Sequence, residues 1–339
     1  MVDATHIRFK AADRSYFSII KRDIHQLAAD AGFDNKKLGD IDLIISELTS
    51  NLHKYATAGE ILAGIFQESG GNQYLEVISI DHGPGLADVQ KVMTDGYSTS
   101  GTMGIGLGSI KRLSDKFDLY SQKGWGTTVL SRVYARPITD LNQHASAIEI
   151  RRLIIAMPGQ HTSGDGSYYK RTDSHFKLLV ADGLGHGPEA NLAVNEAVHA
   201  FKSCPYHSPG EILKYIHHSI RKTRGIVAAV VVYDLKTKKW AIAGVGNISS
   251  RLSNYMEIKN QMSYNGIVGH NIPNTISDHE ALLEDFNQIT LCSDGIKSRW
   301  ENAKYPGILR CDLTIQMAAI YKDFARHTDD MSVVMAKIR

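Results

Sequence analysis

Two polar side chains one helical turn apart are the first residues in this sequence that could do chemistry. Glu47 and Asn51 lie in the stretch Glu-Leu-Thr-Ser-Asn, and apolar residues recur along the other side of the same predicted helix. A carboxylate and a carboxamide at this spacing could hold a hydrated Mg²⁺ against the phosphates of a nucleotide, and the carboxylate could take a proton from an attacking hydroxyl. The same pair is also compatible with an ordinary solvated helix face.

A second candidate is a turn with one carboxylate and two glycines. Asp81-His82-Gly83-Pro84-Gly85 follows directly after a predicted strand. Asp81 could accept a hydrogen bond from the amino group of a base, while Gly83 and Gly85 would let a ligand approach backbone that a side chain would cover. The pattern is also typical of an ordinary turn, so by itself it indicates no ligand.

A glycine-rich stretch, residues 101–108, opens another predicted helix. Its glycines include Gly104, Gly106 and Gly108. Backbone N–H groups at such a helix start point towards an anion, so we interpret the stretch as a phosphate cradle. It is not a Walker loop, because no Gly-Lys-Ser/Thr follows, and it is not the dinucleotide fingerprint, because no strand leads directly into it.

Four acidic positions in the second half lie where predicted strands end or turns begin: Asp165, Asp182, Asp294 and Asp329. Asp-Gly is a common turn dipeptide, so each position alone could be a plain turn. Buried strands beside three of them would let the carboxylates meet at one sheet edge. Grouped carboxylates repel unless hard cations such as Mg²⁺ or Mn²⁺ bridge them, and two such ions can activate water. We interpret the nearby His186 as a solvated loop residue rather than an acid.

The elements that must position these residues follow from the periodicity of the apolar residues. In the first half the pattern predicts helices over 12–29 and 35–55 and then strands over 61–67, 74–80, 116–121 and 127–134. In the second half it predicts helices over 188–203 and 209–223, framed by strands over 148–156, 167–171, 176–181, 226–233 and 240–245. Antiparallel sheets with helices grouped outside are therefore expected.

Length and composition limit the class of protein. A chain of 339 residues can form two domains, which we place at 1–138 and 148–339 with an aperiodic linker at 139–147. A net charge of +2 gives no reason to expect nucleic acid or a membrane as a partner. The N-terminus has no secretion signal, so a cytoplasmic location is expected. The three cysteines are widely spaced and are expected to be reduced thiols.

The motifs of the first half resemble, in their order, the boxes of the GHKL ATPases, which share the Bergerat ATP-binding fold. The resemblance covers about residues 10–135 and rests on 47–51, 81–85, 104–108 and Gly126-Thr127-Thr128. Residues 95–100 and 112–115 are similar to anti-sigma-factor serine kinases, and residues 46–56 to stressosome switch kinases. A two-component histidine kinase is disfavoured, because no dimerisation helix with a phosphoacceptor His precedes the motifs.

That resemblance implies roles for individual residues. ATP is the implied cofactor, with Mg²⁺ held by Asn51, a general base at Glu47 and adenine read by Asp81. The phosphates would be bound by the lid over residues 101–108, and Thr128 of the last box is included among the nucleotide-binding residues.

The second half resembles the metal-dependent PP2C superfamily of protein phosphatases, in its SpoIIE-like branch, over about residues 148–339. The match rests on Ser163-Gly164-Asp165, residues 182–187, Ser293-Asp294-Gly295 and residues 329–332. It implies that Asp182 bridges two metal ions and is catalytic, that the Gly183 carbonyl joins one ion, and that Asp165, Asp294 and Asp329 hold the other. Eukaryotic members have a Glu where this chain has Gly164 and also a phosphate-binding Arg, for which no equivalent is evident in the sequence.

The sequence therefore predicts an α+β protein, with a Bergerat sandwich whose helices cover one face of a mixed sheet, followed by a PP2C-like α-β-β-α sandwich. The expected function is a bifunctional switch that phosphorylates and dephosphorylates serine or threonine in STAS-domain proteins, either anti-sigma-factor antagonists or stressosome scaffolds. A homodimer is considered as its assembly. The alternative is a first domain that senses ATP or sequesters a partner and only regulates the phosphatase.

Overall fold

The computed structural model describes residues 5–11, 13–68, 71–86, 89, 106–137, 148–254 and 256–339. By packing, these residues form two units. One contains the described parts of His6–His144 together with Glu301–Lys322, and the other contains the described parts of Met1–Thr5 and Ala145–Trp300 together with Asp323–Arg339. The predicted linker lies within 138–147, outside the described residues. The assignment of residues 301–322 to the first unit was not part of the sequence prediction.

The first unit is built on one five-stranded sheet with the order β1-β2-β3-β5-β4. Its strands are β1 (Ile7–Lys10), β2 (Gly59–Gln67), β3 (Gln73–Asp81), β4 (Lys116–Gln122) and β5 (Gly126–Tyr134). Every pairing between them is antiparallel, whereas a mixed sheet was predicted. Only five residues separate β2 from β3 and only three separate β4 from β5, and such short connections impose antiparallel neighbours.

Helices α1 (Phe17–Asp30), α2 (Asn35–Tyr55) and α3 (Gly106–Leu113) pack against one face of this sheet. The α2 helix begins where predicted because the Asp34 carboxylate accepts a hydrogen bond from the Lys37 N–H at 2.8 Å and so caps the helix. Its apolar stripe is buried from Leu38 to Leu52, as predicted. Tyr55, the last residue of the helix, is 45% exposed although the apolar spacing continues to it.

The other face of this sheet packs against residues 301–322, which include most of helix α6 (Leu313–Phe324). Arg132 of β5 is fully buried and donates to Glu76 of β3 at 2.5 Å. The same guanidinium makes two hydrogen bonds to the Asp312 carboxylate, at 2.7 and 2.8 Å, and one to Thr314. Each buried charge in this network therefore has a partner of opposite sign.

The second unit is a sandwich of two five-stranded antiparallel sheets. The first has the order β13-β10-β9-β8-β7 and consists of β7 (Asp165–Arg171), β8 (His175–Gly183), β9 (Ile226–Asp234), β10 (Lys239–Val245) and β13 (His279–Leu282). The second has the order β12-β11-β14-β15-β6 and consists of β6 (Ile148–Ile155), β11 (Ser249–Ser253), β12 (Ile258–Gln261), β14 (Gln288–Cys292) and β15 (Met331–Ile338).

Apolar side chains from both sheets, among them Val180, Trp240 and Leu291, form a core between them. Helices α4 (Pro188–Ser203) and α5 (Pro209–Ser219) cover the outer face of the first sheet. The α+β class is therefore confirmed. Cys204 and Cys292 are buried free thiols, and Cys311 is a partly buried one. Over the described residues, no helix is both long and apolar enough to span a bilayer.

Candidate functional sites

Glu47, Asn51 and Gly106 lie together in the first unit. Both side chains are half-buried on α2, and a Cβ atom added to Gly106 at the start of α3 would lie 3.6 Å from Asn51 Oδ1 and 3.7 Å from Glu47 Oε2. The absence of a side chain at Gly106 thus leaves room directly over the carboxylate and the carboxamide. The start of α3 brings backbone N–H groups to the same place, which suits an anionic ligand.

Asp81 is the last residue of β3, and its carboxylate is fixed by its own turn. Asp81 Oδ1 accepts a hydrogen bond from the Gly83 N–H at 2.6 Å, so Oδ2 is left to accept one from a ligand. The side chain is half-buried, whereas the seven residues before it on β3 are buried. This environment favours one orientation of the carboxylate.

Gly83 and Gly85 allow two parts of this chain to pack closely together. The sequence had predicted instead that they allow a ligand to approach the backbone. A Cβ at Gly83 would lie 2.6 Å from the carbonyl oxygen of Tyr55, and one at Gly85 would lie 2.1 Å from that of Gln122. Gly85 also has a φ of +74°, which disfavours other residues. The two glycines therefore dock the Asp81 turn onto the end of α2 and onto the β4–β5 turn.

Successive side chains of β5 point to opposite faces of the sheet, and Thr128 lies on the face opposite to the predicted adenine-binding Asp81. Val129 and Val133 pack with the helix-facing core, so Thr128 and Arg132 point to the opposite face. The buried Thr128 hydroxyl has no hydrogen-bond partner among the described residues. Thr127, by contrast, lies on the same face as Asp81, and its hydroxyl is 3.0 Å from that of Ser121. The threonine beside Asp81 is therefore Thr127, one residue earlier than predicted.

The predicted phosphate cradle lies only partly within the described residues. Gly104 lies outside the described residues, as do residues 95–100, whereas Gly108 is buried within α3. Asp115, at the end of the kinase-like segment 112–115, accepts hydrogen bonds from Lys37 Nζ and from the Tyr134 N–H, both at 2.8 Å. Asp115 thus ties α2 and β5 to the start of β4.

A groove of about 380 Å³ runs between α1 and α2, beside the part of α2 that carries Glu47 and Asn51. Ser46 and Ser50 of α2 line it together with the basic side chains of Arg14, Lys21 and Lys54. Ser46 is the residue before Glu47, so a polypeptide in this groove would pass close to that carboxylate. The excess of basic groups favours an acidic segment.

In the second unit, Asp165 and Asp182 face each other across neighbouring strands. Asp165 begins β7, Asp182 lies near the end of β8, and the two residues are paired in the antiparallel register. Side chains so paired have Cβ atoms about 5 Å apart. The structure thus brings together two predicted metal ligands that are 17 residues apart in the sequence.

The environment of these carboxylates opposes their ionisation. Burial raises the pKa of Asp165 to about 7, and repulsion by Asp330 and Asp294 adds to the effect. Burial likewise raises the pKa of Asp182 to about 9, with further repulsion from Asp165, Asp294 and Asp329. Neither oxygen of Asp165 meets hydrogen-bond geometry with a described residue, although Ser293 and Ser332 lie nearby. A cation would relieve both the repulsion and the missing partners.

Asp294 and Asp329 enter this neighbourhood from the other sheet. Asp294 follows β14, and its Oδ2 accepts a hydrogen bond from Asn247 Nδ2 at 2.8 Å. Asp329 precedes β15, and its Oδ1 accepts one from the Asp330 N–H. Among the described residues, no three His, Cys, Asp or Glu side chains are already drawn to coordinating distance of one point. The acidic groups are therefore neighbours rather than a closed ligand shell.

Asp330 is a residue that the sequence interpretation missed. It is 3% exposed, and its two carboxylate oxygens accept hydrogen bonds from the N–H groups of Met157 and Gly164, both at 2.7 Å. Asp330 therefore joins the loop that carries Asp165 to the strand that follows Asp329. In the sequence, this role was indicated by two adjacent Asp residues directly before an apolar strand.

The glycines beside these acidic residues argue against plain turns. A Cβ at Gly183 would lie 2.3 Å from the Ala190 carbonyl oxygen, and one at Gly295 would lie 2.0 Å from that of Asp330. Neither glycine has a positive φ, so neither is explained by a left-handed turn. Gly164 is similarly confined, since its Cβ would lie 2.8 Å from that of Ala190. A Glu at this position would need the neighbouring chain to move.

Family models match both halves of the chain. A histidine kinase-like ATPase domain matches residues 10–132, and the stage II sporulation protein E (SpoIIE) domain matches residues 172–339. The chain is also similar to the serine/threonine-protein kinase RsbT of Bacillus subtilis (strain 168). That similarity is 44% identity over 104 residues, which are 30% of this chain and 77% of RsbT.

Solved structures show similarity over more than half of the chain. A chain from a structure described as the bacterial stressosome has 27% identity and a TM-score of 0.51, and the match covers 56% of this chain and 99% of that one. RsbX in complex with magnesium has 18% identity and a TM-score of 0.49, with 57% of this chain and 96% of that one covered.

Proposed function

The chain belongs to the RsbT family of histidine kinase-like ATPases and carries in addition a SpoIIE domain of the PP2C type, and we propose that it is a switch protein with two opposing activities. In this proposal the first unit transfers phosphate from ATP to serine or threonine of a partner protein, and the second unit removes it. The observation that carries the proposal is that each unit gathers its own set of chemical groups. Glu47, Asn51 and Gly106 meet in one, and Asp165 and Asp182 meet in the other.

For phosphotransfer, the first unit offers a base beside a place for phosphates. Asn51 would hold Mg²⁺ through its carboxamide oxygen, and the start of α3 would bind phosphate oxygens through backbone N–H groups. Glu47 would accept the proton of the attacking hydroxyl, and Asp81 Oδ2 would accept a hydrogen bond from the adenine amino group. The groove lined by Ser46 and Ser50 supports a protein as the phosphate acceptor.

For phosphate removal, the acidic neighbourhood of the second unit fits divalent cations of the Mg²⁺ or Mn²⁺ type. Asp182, with the Gly183 carbonyl, Asp165, Asp294 and Asp329 would hold them, and bound ions of this kind activate water for attack on phosphorus. Asn247 would keep the Asp294 carboxylate in place, and Asp330 would do the same for the loop that carries Asp165.

The partners follow from the relatives. RsbT is named as a serine/threonine-protein kinase, and one structural neighbour comes from the bacterial stressosome. We therefore propose STAS-domain proteins, either anti-sigma-factor antagonists or stressosome scaffolds, as the targets of both activities. We further propose a cytoplasmic location and a homodimer as the assembly.

The two activities must be separated before either is measured, because each erases the product of the other. The Asp182→Asn variant, expected to lack phosphatase activity, should be incubated with radiolabelled ATP and a co-encoded STAS protein, and label should accumulate on that protein. Adding Asn51→Ala should abolish the label, and Asp81→Asn should weaken ATP binding in calorimetry. If Asp182→Asn binds ATP but never transfers label, the first unit is an ATP-sensing or partner-binding module.

A further inference from the structure

We propose that Arg224 binds the phosphate group of the substrate in the second unit. This inference rests on the proposed phosphatase function and supplies the phosphate-binding arginine that the sequence left unassigned. The ligand class is a phosphate monoester dianion, which a guanidinium can bind through two parallel hydrogen bonds.

The position of Arg224 relative to the acidic residues is the first argument. Its Nη1 lies 3.1 Å from the point that a Cβ atom of Gly185 would occupy, and Gly185 is three residues after Asp182. Gly185 is exposed and has a φ of +85°, so the loop presents bare backbone beside the guanidinium. A phosphate held near Asp182 would therefore lie within reach of this side chain.

The backbone of Arg224 is anchored to the same loop. The Leu184 N–H donates to the Gly225 carbonyl oxygen at 3.1 Å, and the Arg224 carbonyl oxygen lies 2.8 Å from His270 Nε2. Gly225 has a φ of +81°, and a Cβ there would lie 2.5 Å from the His270 ring. Because the backbone of Arg224 and Gly225 is held, little ordering is needed before the side chain meets a ligand.

The present partner of Arg224 can be exchanged. Its Nη2 forms an ion pair with Glu189 in the first turn of α4, and the two side chains are 51% and 67% exposed. Exposed ion pairs contribute little stability, whereas a guanidinium pairs more strongly with a doubly charged phosphate than with a single carboxylate. Glu189 would then occupy the guanidinium until a phosphate monoester displaces it.

A second arginine near the acidic residues is already engaged by backbone. Arg326 Nε donates to the Asp294 carbonyl oxygen, and the Arg326 N–H donates to the Gly295 carbonyl oxygen, both at 2.8 Å. These bonds join the segment before Asp329 to the turn that carries Asp294. Arg326 is therefore assigned to positioning that turn, and Arg224 to the ligand.

The test uses the full chain loaded with Mn²⁺, with p-nitrophenyl phosphate as substrate and inorganic phosphate as the ligand in calorimetry. Arg224→Gln should raise both the KM and the phosphate Kd by about tenfold or more. Its Mn²⁺ affinity should equal that of the wild type. Arg224→Lys should recover part of the loss, and Glu189→Gln should lower both constants because the competing carboxylate is gone.

Arg221→Gln is the matched control, since it removes an exposed positive charge from the same connection, and both constants should stay unchanged. An unchanged phosphate Kd in Arg224→Gln would overturn the inference, and so would a larger rise of the phosphate Kd in Arg326→Gln at unchanged Mn²⁺ affinity. If wild-type protein with Mn²⁺ neither hydrolyses p-nitrophenyl phosphate nor binds phosphate, the failure lies instead in the proposed phosphatase function.

Discussion

The two candidate sites are assembled over very different distances along the chain. Glu47 and Asn51 are one helical turn apart, so the geometry of a single helix brings them together. The acidic residues of the second unit come from four segments between Asp165 and Asp329, and two sheets must form before they become neighbours. The Glu47–Asn51 pair of the first site thus depends on local structure, whereas the acidic cluster of the second site depends on tertiary packing.

The difference also appears in the electrostatics. Four other Asp side chains raise the pKa of Asp182, after burial itself, whereas Glu47 and Asn51 form a pair with one negative charge. A cluster of buried carboxylates is unfavourable without a cation. The second site should therefore respond to metal and pH through its stability as well as its activity.

The largest expected effect is the loss of one activity without the other. Asp182→Asn should reduce hydrolysis of p-nitrophenyl phosphate by at least ~100-fold, because even outer-shell residues of a metal site contribute 10- to 100-fold. Phosphotransfer by the first unit should stay at the wild-type level. Wild-type hydrolysis should stop in EDTA and return with Mn²⁺. Hydrolysis that persists in Asp182→Asn would mean that the acidic segments meet without forming a site.

The next largest effect is a loss of stability, and it concerns the buried Arg132 on the sheet face that packs against residues 301–322. Arg132→Met should destabilise the protein by about 3–5 kcal/mol, because the buried Glu76 and the half-buried Asp312 would lose the guanidinium that pairs with both. The midpoint of urea unfolding, followed by tryptophan fluorescence through Trp125, measures this. Arg22→Met removes an arginine from the exposed pair with Asp23 and should change the midpoint little. A small effect of Arg132→Met would show that residues 301–322 contribute little to the first unit.

The third expected effect is a dependence of stability on pH, which tests the cluster of acidic residues in the second unit. In metal-free protein, Asp165 and Asp182 have pKa values raised above the ordinary 3.8 to about 7 and about 9. The folded state then binds more protons than the unfolded state between about pH 4 and 9, so stability should fall as pH rises through that window. Asp182→Asn should therefore raise the melting temperature in EDTA at pH 8, because it stabilises the fold by on the order of 1 kcal/mol or more.

Mn²⁺ should reverse this dependence, because cation binding favours the ionised carboxylates and becomes tighter as pH rises. Melting temperatures of the wild type at pH 6, 7 and 8, with EDTA and with Mn²⁺, would show it. Equal slopes under the two conditions would contradict a shared cation site at these residues.

The sequence predicted most elements of the fold because their periodic patterns are strong. The α2 and α4 helices have the predicted bounds, since Asp34 caps one and Pro188 begins the other. Helix α6 escaped prediction because residues 313–322 are all buried, the polar Thr314, Gln316 and Lys322 included, so the segment has no exposed polar face that would show a helical period. Its packing in the first unit could not be inferred either, because the contact of Arg132 with Asp312 spans 180 residues.

Within the sites, residue type was easier to predict than orientation. The types at Asp165, Asp182 and Asp294 indicated carboxylates near one another, and the pKa of Asp182 is raised by both of the others. The role of Asp330 could not be separated from that of Asp329, because adjacent residues differ only in the direction that tertiary structure gives them. The same ambiguity of one residue separates Thr127 from Thr128.

The smallest expected effect tests whether Thr127 or Thr128 lies on the sheet face that carries Asp81. Thr127 shares the face of Asp81, so Thr127→Val should weaken ATP binding about three- to tenfold through the loss of one hydrogen bond. Thr128→Val lies on the opposite face and should leave the ATP Kd unchanged. Its hydroxyl is buried without a partner among the described residues, so removing it should not lower the melting temperature. Calorimetry with ATP on both variants decides between them. Weaker binding in Thr128→Val alone would show that the register of β5 at the nucleotide differs by one residue, and would move the first site towards the sheet face that packs against residues 301–322.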